Sequence, residues 1–490
     1  MKNASPKMGW PSFQGGRHQR GQAMIYGIFI LAVGLVSTFF LFNAGQLVQE
    51  KDRLITAADA TAYSAGVLHA RALNYSAYIN RALIANEITV AQTVSVASWV
   101  RYTQSHVNTA VSEGCNYYIN VPGGLTFLRY TPLCMGLAYG GAYISSASGW
   151  VDTGGQAVIA AAEIAKKILQ GAQIFMMAEL ALKRDDILTE VAKANFKGDG
   201  NVSVMTMPIP GDHPIETSVK LRAGKDRQRF ANVAVESAYR DPFIPSRSWN
   251  EKALLPETSC LKILKVEYDY ATRAGGTSLI GLDEWKAMDT FEIHKRMLKF
   301  KTKKIGFIKI KIPYCGDAEW YPAAGLKASY ALKEADKGSA AYFAGARSIN
   351  NLASKTPTNS TYSGYQGMPA SWELTDDALS YVPNHADVNH REFKIRYSIL
   401  VTRKEDQTRT SEGRSDVKSA TGPYGLNKFD GKPAAGEYSA VSTAEIFFDR
   451  PVAREDGKTE IASLYNPYWQ VRLVQSKAAI AAGMAIQGLK

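Results

Sequence analysis

From Ala23 to Phe42 the chain carries no charged residue, and apolar side chains fall on every side of a helix drawn through it. About 20 residues at ~1.5 Å each match a hydrocarbon core of about 30 Å. A secretory leader has a shorter apolar core, about 7–15 residues, ending at a small-x-small site. Phe42-Asn43-Ala44-Gly45 is a poor site of that kind, and the pairs Ala58/Ala60 and Ala60/Ala62 lie too far downstream. The pattern therefore predicts a retained transmembrane helix over 23–45, preceded by a polar tail over 1–22. Lys2, Lys7, Arg17 and Arg20 precede the span without an acid, whereas Glu50, Lys51, Asp52 and Arg53 behind it cancel. The positive-inside rule puts the tail in the cytoplasm and everything after the span outside.

Beyond the span the apolar period stays helical. Leu54, Ala58, Ala62, Ala65, Ala72, Tyr75, Ile79 and Leu83 recur at the spacing of one helix face, and no proline intervenes before Pro122. The stretch Ala57–Gly66, AADATAYSAG, is dense in small residues, which let a second backbone approach closely. Ala57, Ala58, Asp59, Ala62, Ala65 and Gly66 are accordingly the candidate assembly interface, expected to seat a partner helix. Residues 114–155, rich in Gly, Tyr and Ser, read as a loop or small hairpin, and Gln156–Phe196 as a second long helix packed back on the first. Together, 46–198 form a helical stalk.

The period then changes to two. Asn201–Met207, Lys262–Tyr270, Ile305–Ile312, Phe393–Val401 and Ser442–Phe448 read as strands, with polar, glycine-rich loops over Thr356–Gly367 and Lys404–Gly436. Helices first and strands later, without βαβ alternation, argue an α+β fold: a transmembrane helix running into a helical hairpin, then a mainly antiparallel β region over 199–465. Residues 466–490 read as a closing helix.

All four cysteines, Cys115, Cys134, Cys260 and Cys315, lie beyond the span, and none forms a close CxxC pair suited to zinc. An oxidising compartment makes two disulfides the expectation, and of three pairings the sequential one, Cys115–Cys134 and Cys260–Cys315, is favoured. The net charge is +12, and its main concentration is His294–Lys311, with Lys295, Arg296, Lys299, Lys301, Lys303, Lys304, Lys309 and Lys311 and no acid. Such a patch suits anionic lipid, an acidic protein face or DNA, but Ile308, Ile310 and Ile312 alternate with lysines as on the wet face of a strand. No nucleic-acid-binding motif accompanies it, and no nucleic acid is expected as a partner.

No catalytic motif is found: there is no phosphate loop, no GxGxxG after a strand, no HExxH and no GxSxG elbow. His385 and His390 lie close together in a loop leading to a strand and read as polar loop residues, not as metal ligands. The pairs Asp185-Asp186 and Asp376-Asp377 gain no acid/base role from adjacency. No catalytic residue, metal or cofactor is expected. Three of the eight Trp and three of the 25 Tyr fall in the short pieces Ala318–Pro322, Asp241–Trp249 and Ser463–Val474, as either binding loops or core corners.

Arg20–Gly66 resembles the N-terminal segment of TadE/TadG-like proteins of Flp-type (Tad) pilus assembly: an Arg-Gly start, an apolar helix, then Leu54, Ala57, Ala58, Asp59, Ala60, Ala62 and Ala65-Gly66 in matching places. AEIFFDRP and SLYNPYWQVRLV look similar to the tails of long members. The resemblance implies a bacterial inner-membrane, single-pass protein with a periplasmic domain, assembling or anchoring a thin pilus with pilins or other pilus-assembly membrane proteins. Some relatives carry a von Willebrand A domain with a DxSxS metal site, a motif lacking here. Tyr26 stands five residues after Gly21, where the family's prepilin peptidase expects Glu, so processing at Gln22 is not expected. The alternatives are a membrane-tethered periplasmic hydrolase and a surface adhesin module using the Tyr/Trp-rich loops.

Overall fold

The computed structural model describes residues 20–109, 125–196, 201–209, 215–247, 253–262, 265–324, 364–375, 394–409, 436–457 and 460–487. It is α+β, and one helix organises it. Helix α1, Arg20–Thr109, runs 90 residues without a break, about 135 Å at helical rise. Its length follows from the sequence: no proline and few β-branched runs interrupt the period, and two different environments hold it. The Ala23–Phe42 segment is exposed on its described faces, and it is the one described helix apolar enough to cross a membrane by length and composition. From Leu54 onward one face is buried, including Ala58, Ala62, Ala65, Ala72, Ile79 and Leu83, as the helical spacing predicts.

Helix α2, Leu125–Ala194, packs antiparallel against α1. The expected loop over 114–155 is therefore helical from Leu125. Propensity alone would not hold a helix through Gly136, Gly140 and Gly149; contact with α1 does so, through Arg101 to Asp152 at 2.7 Å and Gln104 to Ser145 at 3.1 Å.

Strands β1 (Ser203–Met207), β8 (Lys394–Lys404), β9 (Glu437–Phe448) and β10 (Trp469–Val474) form an antiparallel sheet in the order β1-β8-β9-β10. Ile395, Tyr397, Ile399 and Val401 of β8 and Ala440, Ala444 and Ile446 of β9 share a core with Leu54–Leu73 of α1. The opposite face takes helix α5, Lys477–Ile486, where Ala479 meets Leu400, Met207 and Ile209. The expected closing helix is thus shorter than 466–490. Trp469–Val474 alternates in period two and pairs with β9, so it is a strand, and only Lys477–Ile486 is helical.

A second core lies further along α1. There Ile79–Val94 meets Ile159 and Ala162 of α2, helix α4 (Gln228–Ala238), and Leu279, Trp285 and Ala287 of a second sheet. That sheet is a meander of β3 (Ala253–Lys262), β4 (Lys265–Ile280), β5 (Glu284–Ile305) and β6 (Ile308–Ala324). Its outer strands β3 and β6 also approach within 8 Å at Cα, so the sheet curls. Two expected strands change here: in Lys262–Tyr270, Lys262 ends β3 and β4 begins at Lys265, and Ile305–Ile312 is split by a two-residue turn at Gly306-Phe307. Single-turn helix α3 (Ile215–Ser218), the pair β2 (Val219–Arg222) and β7 (Ser371–Leu374), and short 3-10 turns at Gly224–Arg227 and Glu405–Gln407 lie between these elements.

Candidate functional site

The small-residue stretch of α1 is where the first sheet lands. Ala57, Ala58, Ala62 and Ala65 are at most 1 % exposed, and what they touch is this chain's own β8, β9 and β10. A Cβ on Gly66 would stand 2.2 Å from Val471 Cγ2 and 3.0 Å from Ala444 Cβ, so only glycine admits β10 at that distance. Asp59 accepts a hydrogen bond of 2.7 Å from the Ser442 hydroxyl. The close approach that small residues signal is thus made inside the molecule, between helix and sheet.

Polar residues further along α1 fasten other distant segments. Asn74 both donates to the Trp469 carbonyl (2.9 Å) and accepts from its N–H (3.0 Å), as a neighbouring strand would. Asn80 donates to the carbonyls of Trp372 and Leu464, each at 2.7 Å. Glu87 is fully buried, and its Oε1 takes Lys166 of α2 at 2.9 Å. Its Oε2 accepts from Trp285 Nε1 at 3.0 Å and from the Tyr365 hydroxyl at 2.6 Å. Lys166 also meets Glu163 at 2.6 Å and donates to the Gly367 carbonyl at 2.9 Å, which uses all three ammonium protons. Burial first, and then the Glu87 charge, hold the Tyr365 hydroxyl well above its usual pKa.

At Ser98 the hydroxyl donates to Asp289 at 2.6 Å, and Arg247 grips the same carboxylate with two bonds of 2.8 and 2.9 Å. Two more buried carboxylates lie off the helix. Glu373 accepts from Tyr465 at 2.6 Å, and burial followed by that carboxylate raises the Tyr465 pKa. Glu445 lies directly between Arg396 and Arg472 on the two neighbouring strands, at 3.0 and 2.7 Å.

Donors of the chain thus occupy most of the oxygens of these buried carboxylates. Among the described residues no three His, Cys, Asp or Glu side chains converge as metal ligands would. Sequence reasoning did not single out Glu87, Lys166, Arg247 or Asp289. The available signal was a charge set within an apolar stripe: Glu87 between Leu83, Ile84, Val90 and Ala91, and Lys166 after Ile159 and Ala162. Of the aromatic side chains described in these pieces, Phe243 and Tyr468 are half-buried. Tyr465 and Trp469 are buried, as is Ile244. Asp185 and Asp186 are exposed on α2, while His385, His390, Asp376 and Asp377 lie outside the described residues.

One stripe of open apolar surface beyond the Ala23–Phe42 segment is on α2. Ile164, Ile168, Phe175 and Leu182, spaced four, seven and seven, are all more than 60 % exposed, and Tyr139 and Tyr143 continue apolar exposure toward the helix start. Of the cysteines, Cys315 on β6 is buried, and the side chains of Cys115, Cys134 and Cys260 lie outside the described residues.

Residues 21–72 match the family model described as Tad, putative Flp pilus-assembly TadE/G-like. The match therefore takes in the uncovered apolar segment and the small-residue face that seats the sheet, and it stops short of the remaining chain. Comparison with curated proteins and with solved structures gives no match. The matched segment points to a role related to Flp/Tad pili, and its apolar helix is compatible with a single-pass membrane anchor.

Proposed function

We propose that this protein is a non-enzymatic, single-pass protein of the bacterial inner membrane that helps assemble or anchor a Flp/Tad-type pilus. Its tail faces the cytoplasm and its folded part lies in the periplasm. The observation that carries the reading is the coincidence of the family match at 21–72 with a helix that is apolar and uncovered over Ala23–Phe42, then buried against its own domain. A helix that leaves the lipid and becomes the core of the domain transmits position from membrane to domain without a flexible joint. The basic flank before Ala23 supports the orientation.

The partner surface in this reading is the α2 stripe, because the Ala57–Gly66 face is already filled by the sheet. Its i, i+4, i+11, i+18 spacing suits an apolar helix of another pilus-assembly membrane protein. The curled second sheet, in which β3 and β6 approach each other, supports the Cys260–Cys315 pairing of this reading. Cys115–Cys134 remains the complementary pair.

The test is Ile168→Glu with Phe175→Glu in producing cells. The expected result is a folded, membrane-bound protein that no longer recovers pilus components on purification, with pili lost. Normal pili and normal recovery of components would overturn the reading.

A further inference from the structure

The β5/β6 ribbon ends in a feature to which the proposed assembly role assigns nothing. Beyond Leu298 the two strands pair with each other as far as Ile305 and Ile308, closing on Gly306-Phe307, with Gly306 at φ +63°. Between Leu298 and Ile312 stand Lys299, Lys301, Lys303, Lys304, Lys309 and Lys311, all exposed, and no acid. Lys304 and Lys309 are directly opposite one another, a like-charge pair that costs stability in an isolated ribbon. Apolar side chains stand out beside them. Phe307 at the apex is fully exposed, Ile308 is 67 % and Phe300 61 % exposed, and Leu298 and Ile310 are nearly half exposed.

The register decides how these groups are shared between the two faces. Residues directly opposite point the same way, so one face carries Lys299, Lys301 and Lys303 with Ile308, Ile310 and Ile312. The other carries Leu298, Phe300 and Lys304 with Lys309 and Lys311. Both faces are thus apolar and cationic together, and the most apolar point is the tip. A docked protein would cover one face and leave the other wet. A nucleic acid would take the lysines but leave Phe307 and Ile308 in water. A lipid interface satisfies all of them: the apex enters the acyl boundary, and lysine stems lie along it with ammonium groups at the phosphates.

Direction adds the remaining constraint. Strand β5 meets α1 at Glu87 through Trp285 and again at Ser98 through Asp289, so it travels away from the Ala23–Phe42 segment. From Asp289 to Phe307 the strand has a reach of up to about 60 Å in that sense. We propose that the Leu298–Ile312 ribbon is an insertion wedge for an anionic lipid surface other than the one that holds α1. This inference stands apart from the pilus-assembly reading and does not require it.

The test uses the full chain held in nanodiscs of neutral phosphatidylcholine, mixed with vesicles of phosphatidylcholine containing about 30 % phosphatidylglycerol. The expected result is co-flotation with these vesicles and none with pure phosphatidylcholine vesicles. Lys303→Gln, Lys304→Gln and Lys309→Gln together should weaken binding by at least about tenfold, and Phe307→Ser should weaken it without changing the salt dependence. Phe307→Trp should add, over the emission of the eight native Trp, a component that shifts to the blue on vesicles and is quenched by brominated lipid. Three results would each overturn the wedge: no flotation of the wild type, equal flotation of the triple-lysine variant, or an added Trp component that stays unquenched. Tight binding of duplex DNA by a wild type that ignores the vesicles would also overturn it.

Discussion

Ser442 donates its hydroxyl proton to Asp59 Oδ1 at 2.7 Å, joining two residues 383 positions apart. Asp59 belongs to the AADA segment of the matched N-terminal region, and Ser442 sits on the strand that lies over it. The bond ties the register of β9 to the helix that leads out of the apolar segment. Ser442→Ala should cost about 1–2 kcal/mol. A double-mutant cycle with Asp59→Ala on the purified protein should give a coupling energy of similar size; additive losses would mean that the bond contributes nothing.

Gly66 tests how closely the sheet approaches the helix. Alanine at that position gains about 1 kcal/mol of helix propensity but must displace the stiff Val471 side chain, and overpacking of this kind costs about 1–3 kcal/mol. Net destabilisation by Gly66→Ala is expected, and a larger loss by Gly66→Leu, with part of it recovered when Val471→Ala is added. A rise in melting temperature for Gly66→Ala would show that helix and sheet lie further apart.

The Glu87–Lys166 pair should behave as a buried ion pair does. Lys166→Met alone leaves Glu87 and Glu163 without their shared cation, and a loss of about 3–5 kcal/mol is expected. Lys166→Met combined with Glu87→Gln and Glu163→Gln should cost clearly less than the single change, because no buried charge is then left alone. Denaturant titration of both variants reads the difference.

High pH should unfold the protein through its buried tyrosines. Tyr365 and Tyr465 have pKa values raised by burial and by the carboxylates they donate to. A pKa raised on folding gives stability that is fully present below the unfolded value of about 10 and is lost as pH climbs above it. The expected signature is tyrosinate absorbance from these residues that appears only together with unfolding. Smooth ionisation of every tyrosine near pH 10 with the fold intact would contradict it.

How much was legible beforehand differed by element, for physical reasons. The buried face of α1 was readable because helical periodicity depends only on local spacing, and Leu54 through Leu83 keep it. What packs there was not readable. Small residues at Ala57–Gly66 announce a close neighbour, yet the same pattern admits a helix or a sheet, and the neighbour lies nearly 400 positions away. The turn at Gly306-Phe307 was hidden because Ile305, Ile308, Ile310 and Ile312 continue an apolar pattern across it; the glycine was the overlooked hairpin signal. The start of α2 was missed because contact with α1 outweighs the poor propensity of its glycines. Glu87 and Lys166 escaped because a carboxylate and an ammonium announce a pair only once two helices bring them together.

The assembly role assigned to the outer face of α2 is tested most directly by photo-crosslinking in intact cells, with a benzoylphenylalanine placed in turn at Ile168, Phe175 and Tyr63. Tyr63 is also exposed, but on α1 and outside the α2 stripe. Adducts with another pilus-assembly membrane protein are expected from positions 168 and 175 and not from 63. Adducts from 63 alone, or none from the α2 positions in piliated cells, would contradict the assignment.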